Sequence, residues 1–409
     1  VGLVNGKLVI AGTDGRDIVH VTQGGSDGGS DGQIHVRVQF NLPSTAGSDG
    51  GSDGGHDGQG SLFTFNATDV TSICIFGLGG NDHLHVSSHI TVPVTIDGGE
   101  GDDQIWGGGG KDTITDLKGN NQIHSGKGND TVTVGDGANK IWTDGGNDTV
   151  TAGNGNNQIP VGHGSNMVTV GNGNNHIWAS GGSDGGSDGG ADGNNIIKTG
   201  NGNNDIHAGN GNDKITVGTG NNTIAGDKGD DVITVMAGGT GVNSIDGGDG
   251  DDIIFGGSGK DNIDGGKDND IIIGGAGDDV ITGGDGRDIL IGGTDADSIT
   301  GNASDDILVA GTTSYDANAV ALQALMAAWN TGTNYASRVA AVQSTSATYH
   351  LITDGGMQTV FSDKAVDRLT GSAGSDFFFA DTTQDEAGAV KDIITDGASG
   401  ETKLDIDMA

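Results

Sequence analysis

Apolar residues recur along this chain in steps of nine. From Gly98 to Trp178 the register does not slip, and Ile105, Ile114, Ile123, Val132, Ile141 and Val150 all hold the eighth place of their units. The same register returns at 190–198, runs through 199–234 and runs again over 238–309, with single copies at 12–20, 77–85 and 371–379. Each unit ends in a three-residue run whose middle residue is apolar, a short strand with that side chain pointing inward. Glycine favours the first, second and fourth places, where turns need φ > 0. A fixed period over so many copies marks a solenoid, in which each turn buries its apolar face on the next. The predicted fold is all-β: a parallel β-roll or β-solenoid of nine-residue half-coils, eighteen residues per coil.

Four regions follow from the pattern. Residues 1–97 carry short strands such as KLVIA, DIVHV and IHVRVQF and form irregular first coils; residues 98–309 form the solenoid. Residues 310–343 contain the one clearly helical stretch, and residues 344–409 return to short strands as a C-terminal β cap. For the helix, Asp316 is the expected N-cap, and Val320, Leu322, Leu325, Met326 and Trp329 are the expected apolar stripe. Ile253, Ile271, Ile289 and Ile307, with Phe255, Ile273, Ile291 and Val309, face outward on one side of the solenoid. Too apolar to meet water together, they are the surface the helix should cover. Three inserts, at 24–32, 47–60 and 181–192, repeat a Gly-Ser-Asp-Gly sequence of linker composition.

Charge sharpens the picture. With 83 Gly, 18 Lys and Arg and a net charge of −38, the chain is a poor partner for nucleic acid or anionic membrane. So many close carboxylates call for bound cations instead. Cys74, the single cysteine, sits in an Ile-Cys-Ile run and reads as a small core residue. No H-E-x-x-H, G-x-S-x-G or phosphate-binding loop is present, and no enzymatic activity is expected. His83 and His85 alternate on one strand and read as solvated rather than metal-binding.

Units such as GGEGDDQIW, GGSGKDNID and GGAGDDVIT resemble the G-G-x-G-x-D-x-U-x nonapeptide of RTX (hemolysin-type) calcium-binding proteins. The resemblance implies several Ca²⁺ ions between stacked turns, held by backbone carbonyls and the sixth-place Asp. The ligands it implies are Asp82, Asp103, Asp112, Asp130, Asp148, Asp213, Asp231, Asp252, Asp261, Asp270, Asp279, Asp288, Asp297 and Asp306. Alternate units lie on opposite sides of a coil. One side carries Asp103 and then Asn121, Asn139, Asn157, Asn175, Asn204, Asn222 and Asn243. The other carries Asp112, Asp130, Asp148, Asn166, Asn195, Asp213, Asp231 and Asp252. Stacked Asn side chains can form a hydrogen-bonded ladder without metal. Calcium is therefore expected on the Asp-rich side, a weakly occupied or metal-free Asn ladder on the other, and calcium on both sides from Asp252 onward. The alternative is that carbonyls supply enough ligands for the Asn coils to bind calcium too.

The ninth place on the Asn side reads Trp106, His124, Trp142, Pro160 and Trp178, an outward line proposed as a partner surface for a second copy or a polysaccharide. The alternative is cover by a loop of the same chain. The C-terminal stretch resembles the segments that carry the type I secretion signal of RTX proteins. The expected function is a secreted calcium-binding structural protein, at the cell surface or outside the cell, forming a homopolymeric fibre, layer or matrix without membrane insertion. The alternatives are a polysaccharide-binding adhesive module on the Trp line, or the repeat region of a larger RTX toxin or enzyme.

Overall fold

The computed structural model describes residues 1–24, 32–40, 60–179, 193–353, 358–382, 391–395 and 401–406. The Gly-Ser-Asp inserts, apart from their end residues, lie outside the described residues. The fold is an all-β parallel solenoid, and the chain divides into two compact units, Val1–Ile196 and Ile197–Ala409.

In the first unit, successive short strands alternate between two parallel columns. One column stacks His83–Val86, Gln104–Gly108, Gln122–Gly126 and Lys140–Trp142, with Ile105, Ile123 and Ile141 in register. The other stacks Ser72–Phe76, Val94–Asp97, Thr113–Asp116, Thr131–Val134 and Thr149–Ala152. The eighth-place Ile and Val are fully buried between the columns, as period-two alternation requires. Cys74 is buried with them and is not disulfide-bonded. The N-terminal rungs are covered by antiparallel strands. Gly2–Val4 pairs with Lys7–Ala11, and Asp17–Gln23 pairs with Gln33–Phe40, which pairs in turn with Ser61–Asn66.

The second unit continues the same grammar, with Ile254, Ile272, Leu290 and Leu308 in register on one column and Ile245, Ile263, Ile281 and Ile299 on the other. One coil is interrupted by the helical excursion. Asp297 donates its N–H to the carboxylate 70 residues ahead, Asp367, where uninterrupted coils reach 18 ahead. The excursion holds helix α1 (Ala319–Thr331) and helix α2 (Tyr335–Val342). Helix α1 packs on the strand Ile271–Ala276, and Ile253, Ile271, Ile289 and Ile307 are buried. Trp329 is buried as well, its indole N–H donating to Asp305 O at 2.8 Å. Arg338 of α2 lies over the same indole and pairs with the Asp305 carboxylate.

Two expectations for the helix need correction. The N-cap is Asn318, whose side chain accepts from the Ala321 N–H; Asp316 instead accepts from the backbone N–H and hydroxyl of Thr313. Val320 is 66% exposed, and Ala321 takes its place in the buried stripe with Leu322, Leu325, Met326 and Trp329. The helical period puts Ala321, Leu322, Leu325, Met326 and Trp329 on one face and leaves Val320 beside it toward solvent. After the excursion, Phe377, Phe378 and Phe379 pair in register with Ile307, Leu308 and Val309, so the coils resume.

Candidate metal ladder

The turn between strands leaves the sixth-place N–H without a strand partner. A carboxylate or amide one coil ahead supplies it. Asp112 donates to Asp130 Oδ1 at 2.8 Å, Asp130 to Asp148 Oδ1 at 2.8 Å, and Asp252 to Asp270 Oδ1 at 2.8 Å. The Asn coils do the same, as Asn121 donates to Asn139 Oδ1 at 3.0 Å. One oxygen of each sixth-place side chain is thus spent on holding the stack.

The other oxygen is not. Oδ2 of Asp82, Asp103, Asp112, Asp130, Asp148, Asp231, Asp252, Asp261, Asp270, Asp279, Asp288, Asp297, Asp306 and Asp367 is buried with no hydrogen-bond partner. Burial, with like-charged neighbours adding to it, pushes these carboxyls far above the usual range. Asp112 and Asp231 rise to about 8, and Asp270, Asp297 and Asp306 to about 9. A buried polar atom without a partner costs about 1–3 kcal/mol, and a charged one more. Repetition of that cost along the array needs a compensating cation.

The space for one is beside the first-place glycine. A Cβ added at Gly265 would lie 2.4 Å from Asp270 Oδ2 and 2.6 Å from the carbonyl oxygen of Gly283, one coil ahead. At Gly247 the same atoms are Asp252 Oδ2 at 2.4 Å and Gly265 O at 2.5 Å, and at Gly274 they are Asp279 Oδ2 at 2.5 Å and Gly292 O at 2.7 Å. In the first unit, Gly77 faces Asp82 Oδ2 and Gly98 O in the same way. First-place glycines such as Gly77, Gly226, Gly247, Gly265, Gly274 and Gly283 therefore border a buried point where a carboxylate oxygen and a carbonyl from the next coil converge. An all-oxygen cradle with net negative charge suits a hard divalent cation. The sixth-place Asp and the first-place carbonyl of the following coil would hold Ca²⁺ there and cross-link successive coils.

The Asn coils are built differently. Asn139 Nδ2 donates to Gly135 O at 3.3 Å, Gly137 O at 3.2 Å and Asn157 Oδ1 at 3.2 Å. Asn157, Asn166, Asn204 and Asn222 likewise donate to turn carbonyls of their own units. The amide thus supplies the positive end that the turn oxygens need. The ladder ends where Asn243 Nδ2 donates to Asp261 Oδ1 at 2.7 Å.

The first place changes in the same stretch. Ser125, Val134, Thr143, Ala152, Val161 and Val170 in the first unit, and Thr199, Ala208 and Val217 in the second, stand where other coils have glycine, and all are buried. Burial raises the Asp130 and Asp148 carboxyls to about 6 and about 7. The Ser125 hydroxyl in this row donates to Thr143 O, and the Thr143 hydroxyl is buried without a partner. Asp116 also occupies a first place. Its Oδ2 and Asp103 Oδ2 both crowd the Cβ position of Gly98, at 2.3 and 2.7 Å, and both are buried without a hydrogen-bond partner. Burial and then the Asp103 charge push the Asp116 carboxyl up to about 8.

All the sixth-place residues named from the sequence fall in such ladders. Asp213 belongs to one through its N–H, which donates to Asp231 Oδ1 at 2.7 Å. The sequence reading passed over Asp17, whose N–H donates to Asp82 Oδ1, and Asp367 and Asp392, which continue a ladder after the helices. Their signal is an Asp-x-apolar triplet (DIV, DRL, DII), present even where the glycines are lost. It also passed over Asp116, since glycine was the expected first-place residue.

On the outer face, Trp106, His124 and Trp142 stack on one another. Trp106 and His124 are 5.4 Å apart, His124 and Trp142 4.3 Å, and each pair is 2° from parallel. His83 stacks on Trp106 at 4.9 Å. Trp178 pairs with Pro160 in register and meets His176 edge-on. The ring faces in the Trp106–Trp142 run are thus turned along the solenoid toward one another, and the edges point outward. His20, His83 and His85 gather at the start of this face. Burial and then the neighbouring His83 lower the pKa of both His20 and His85. Among the described residues, no group of three or more His, Cys, Asp or Glu is arranged to hold a metal by side chains alone. The cradles differ in drawing on backbone carbonyls.

Fold and ladder together define a calcium-binding β-roll. The RTX calcium-binding nonapeptide repeat (4 copies) matches residues 97–132, 124–159, 162–185, 189–224, 216–238, 235–263, 255–290, 264–298, 282–312 and 353–385, more than half of the chain. The chain belongs to this family, whose repeats bind calcium. No curated protein matches the chain.

Proposed function

We propose that this protein is a calcium-stabilised structural protein, a secreted subunit of an extracellular fibre, surface layer or matrix. The observation that carries the proposal is the row of buried, unpartnered Asp Oδ2 atoms, most of them facing a carbonyl of the next coil across a first-place glycine. Such a row makes the rigidity of the coils depend on calcium. Extracellular calcium modules work at dissociation constants of roughly 10⁻⁴–10⁻³ M, so a chain of this kind is suited to stiffen on leaving the cell. RTX-repeat proteins are typically secreted or surface-associated, which agrees with that setting. The acidic and amide groups of the array serve the stack itself, which favours an architectural role over a catalytic one.

Lateral association suits the chain better than stacking at its N-terminal end, because antiparallel strands cover the first parallel rungs there. The Trp106–His124–Trp142 stack is the surface we assign to such contacts. Sugar binding through ring faces is disfavoured, since those faces lie against each other. Electron microscopy and circular dichroism of one sample, before and after a chelator, test the proposal. Assemblies that dissolve as strand signal falls support it. A compact monomer in calcium, with no larger assemblies at any concentration, refutes the structural role.

A further inference from the structure

We infer that the middle of the repeat array is a calcium-free spacer, in which first-place side chains and Asn amides do the work of the ion. The inference rests on the calcium reading of the glycine-first coils and adds a rule for which coils are loaded. In those coils the cradle is the space a Cβ would enter, 2.4 Å from Asp270 Oδ2 at Gly265 and 2.5 Å from Asp279 Oδ2 at Gly274. Val134, Ala152, Val161 and Val170 carry that Cβ and more, and are buried. A side chain and an ion cannot share the space.

Filling the cradle would be ruinous if an unpartnered carboxylate remained inside it. In these same coils the sixth place is Asn139, Asn157, Asn166 and Asn175. Their Nδ2 atoms donate to turn carbonyls, Asn139 to Gly135 O and Gly137 O, Asn157 to Gly155 O, Asn166 to Gly162 O and Gly164 O, Asn175 to Gly173 O. A neutral donor thus binds the oxygens that would otherwise need a cation, and an apolar side chain takes up the volume. Plug and amide occur together in these four coils and again at Val217 with Asn222, while Ala208 with Asp213 and Gly238 with Asn243 mark where the spacer gives way to other coils.

The rule stops short of the mixed coils. Asp130 and Asp148 keep a buried Oδ2 without a hydrogen-bond partner behind Ser125 and Thr143, whose own hydroxyls donate to Thr143 O or find no partner, so these two coils are not assigned to the spacer.

Hydrogen exchange read by mass spectrometry on the full chain, with calcium chloride and with a chelator, tests the inference. Peptides within 134–142 and 152–179 should stay protected in chelator, while peptides within 247–306 lose most of their protection. Loss across the whole array would overturn the spacer and leave the calcium reading standing. Retention across the whole array would overturn both. The double variant Val134→Gly with Asn139→Asp should reopen one cradle, adding one bound calcium per chain by elemental analysis and making 134–142 chelator-sensitive. An unchanged calcium content in the folded variant would overturn the first-place rule.

Discussion

Asp270→Asn should change the stability of the second unit in opposite directions with and without calcium. Asp270 spends Oδ1 on the N–H of Asp252 and leaves Oδ2 buried against the next coil. Burial, then the charges of Asp288 and Asp252 acting against the Asp252 N–H bond, raises its carboxyl to about 9 in the metal-free fold. The unfolded value is about 3.9. A raised folded pKa gives stability that is present below the unfolded pKa and lost as pH rises toward the folded one. At pH 7 the metal-free fold must take up a proton the unfolded chain does not hold. Roughly three pH units of mismatch correspond to about 4 kcal/mol. That figure is an upper bound, because neighbouring carboxyls share the penalty and the turn relaxes.

Asn removes the titration and places a donor where Oδ2 was, facing the second- and fourth-place carbonyls as Asn139 does. In chelator the variant should gain about 1–4 kcal/mol, several degrees in midpoint for a unit of this size. In calcium at about a thousand times the dissociation constant, losing one site forfeits about 4.1 kcal/mol, which outweighs that gain and leaves the variant up to about 3 kcal/mol less stable than the parent. Thermal unfolding followed by circular dichroism in both buffers, with elemental analysis of bound calcium, reads both signs. If Asp270→Asn destabilises the protein in chelator as well, or leaves calcium content unchanged, the cradle at Gly265 is not an ion site and the ladder has been misread.

Other outcomes follow from the same geometry. Gly274→Val places a side chain 2.5 Å from Asp279 Oδ2 and should cost one bound calcium without a compensating amide, lowering the calcium-loaded midpoint more than Asp270→Asn does. Asp116→Ala should weaken the site at Gly98, where two carboxylates meet, and calcium titration of the variant should show one site lost or shifted to higher concentration. The metal-free protein should gain structure as pH falls from about 9 toward 4, since carboxyls such as Asp297 and Asp306, raised to about 9, are neutral only below that value; strand signal across a pH series in chelator reads this. Trp329→Ala should cost about 3–5 kcal/mol, because the indole is fully buried over the apolar column and bonded to Asp305, and denaturant unfolding checks it. Trp142→Ala should leave strand signal intact and weaken lateral assembly in sedimentation; loss of the fold instead would make the stack part of the core.

Much of this was legible in the sequence because the repeat is a local rule. Ile105 and Ile123 are far from exceptional residues, yet eighteen-residue spacing alone places one on the other. The same spacing stacks Asn121 on Asn139 and Trp106 near Trp142. What the period does not carry is orientation at fine scale. An outward Trp at every second coil reads as an exposed face, and only the intervening His124 ring, 2° from parallel, turns that face inward on the ladder. The helix boundary was lost for a related reason: Asp316 and Asn318 are both good caps, and the choice fell to the Thr313 hydroxyl, which claims Asp316.

The first place is the more instructive omission, because its signal was in plain view. The metal motif directs attention to the sixth-place Asp, the one residue with a charge. Yet an ion site is made of space as much as of ligands. Glycine at Gly265 supplies that space and Val at Val134 removes it, though both turns close the same way. A carboxylate without the space is a liability, and space without a carboxylate is a void. Two pairings answer both demands, glycine with Asp as at Gly265 and Asp270, and an apolar residue with Asn as at Val134 and Asn139. Ser125 with Asp130, Thr143 with Asp148 and Ala208 with Asp213 follow neither, keeping a carboxylate behind a first-place side chain. Reading the first and sixth places as a pair therefore assigns the glycine–Asp coils to a metal and the apolar–Asn coils to the protein's own side chains.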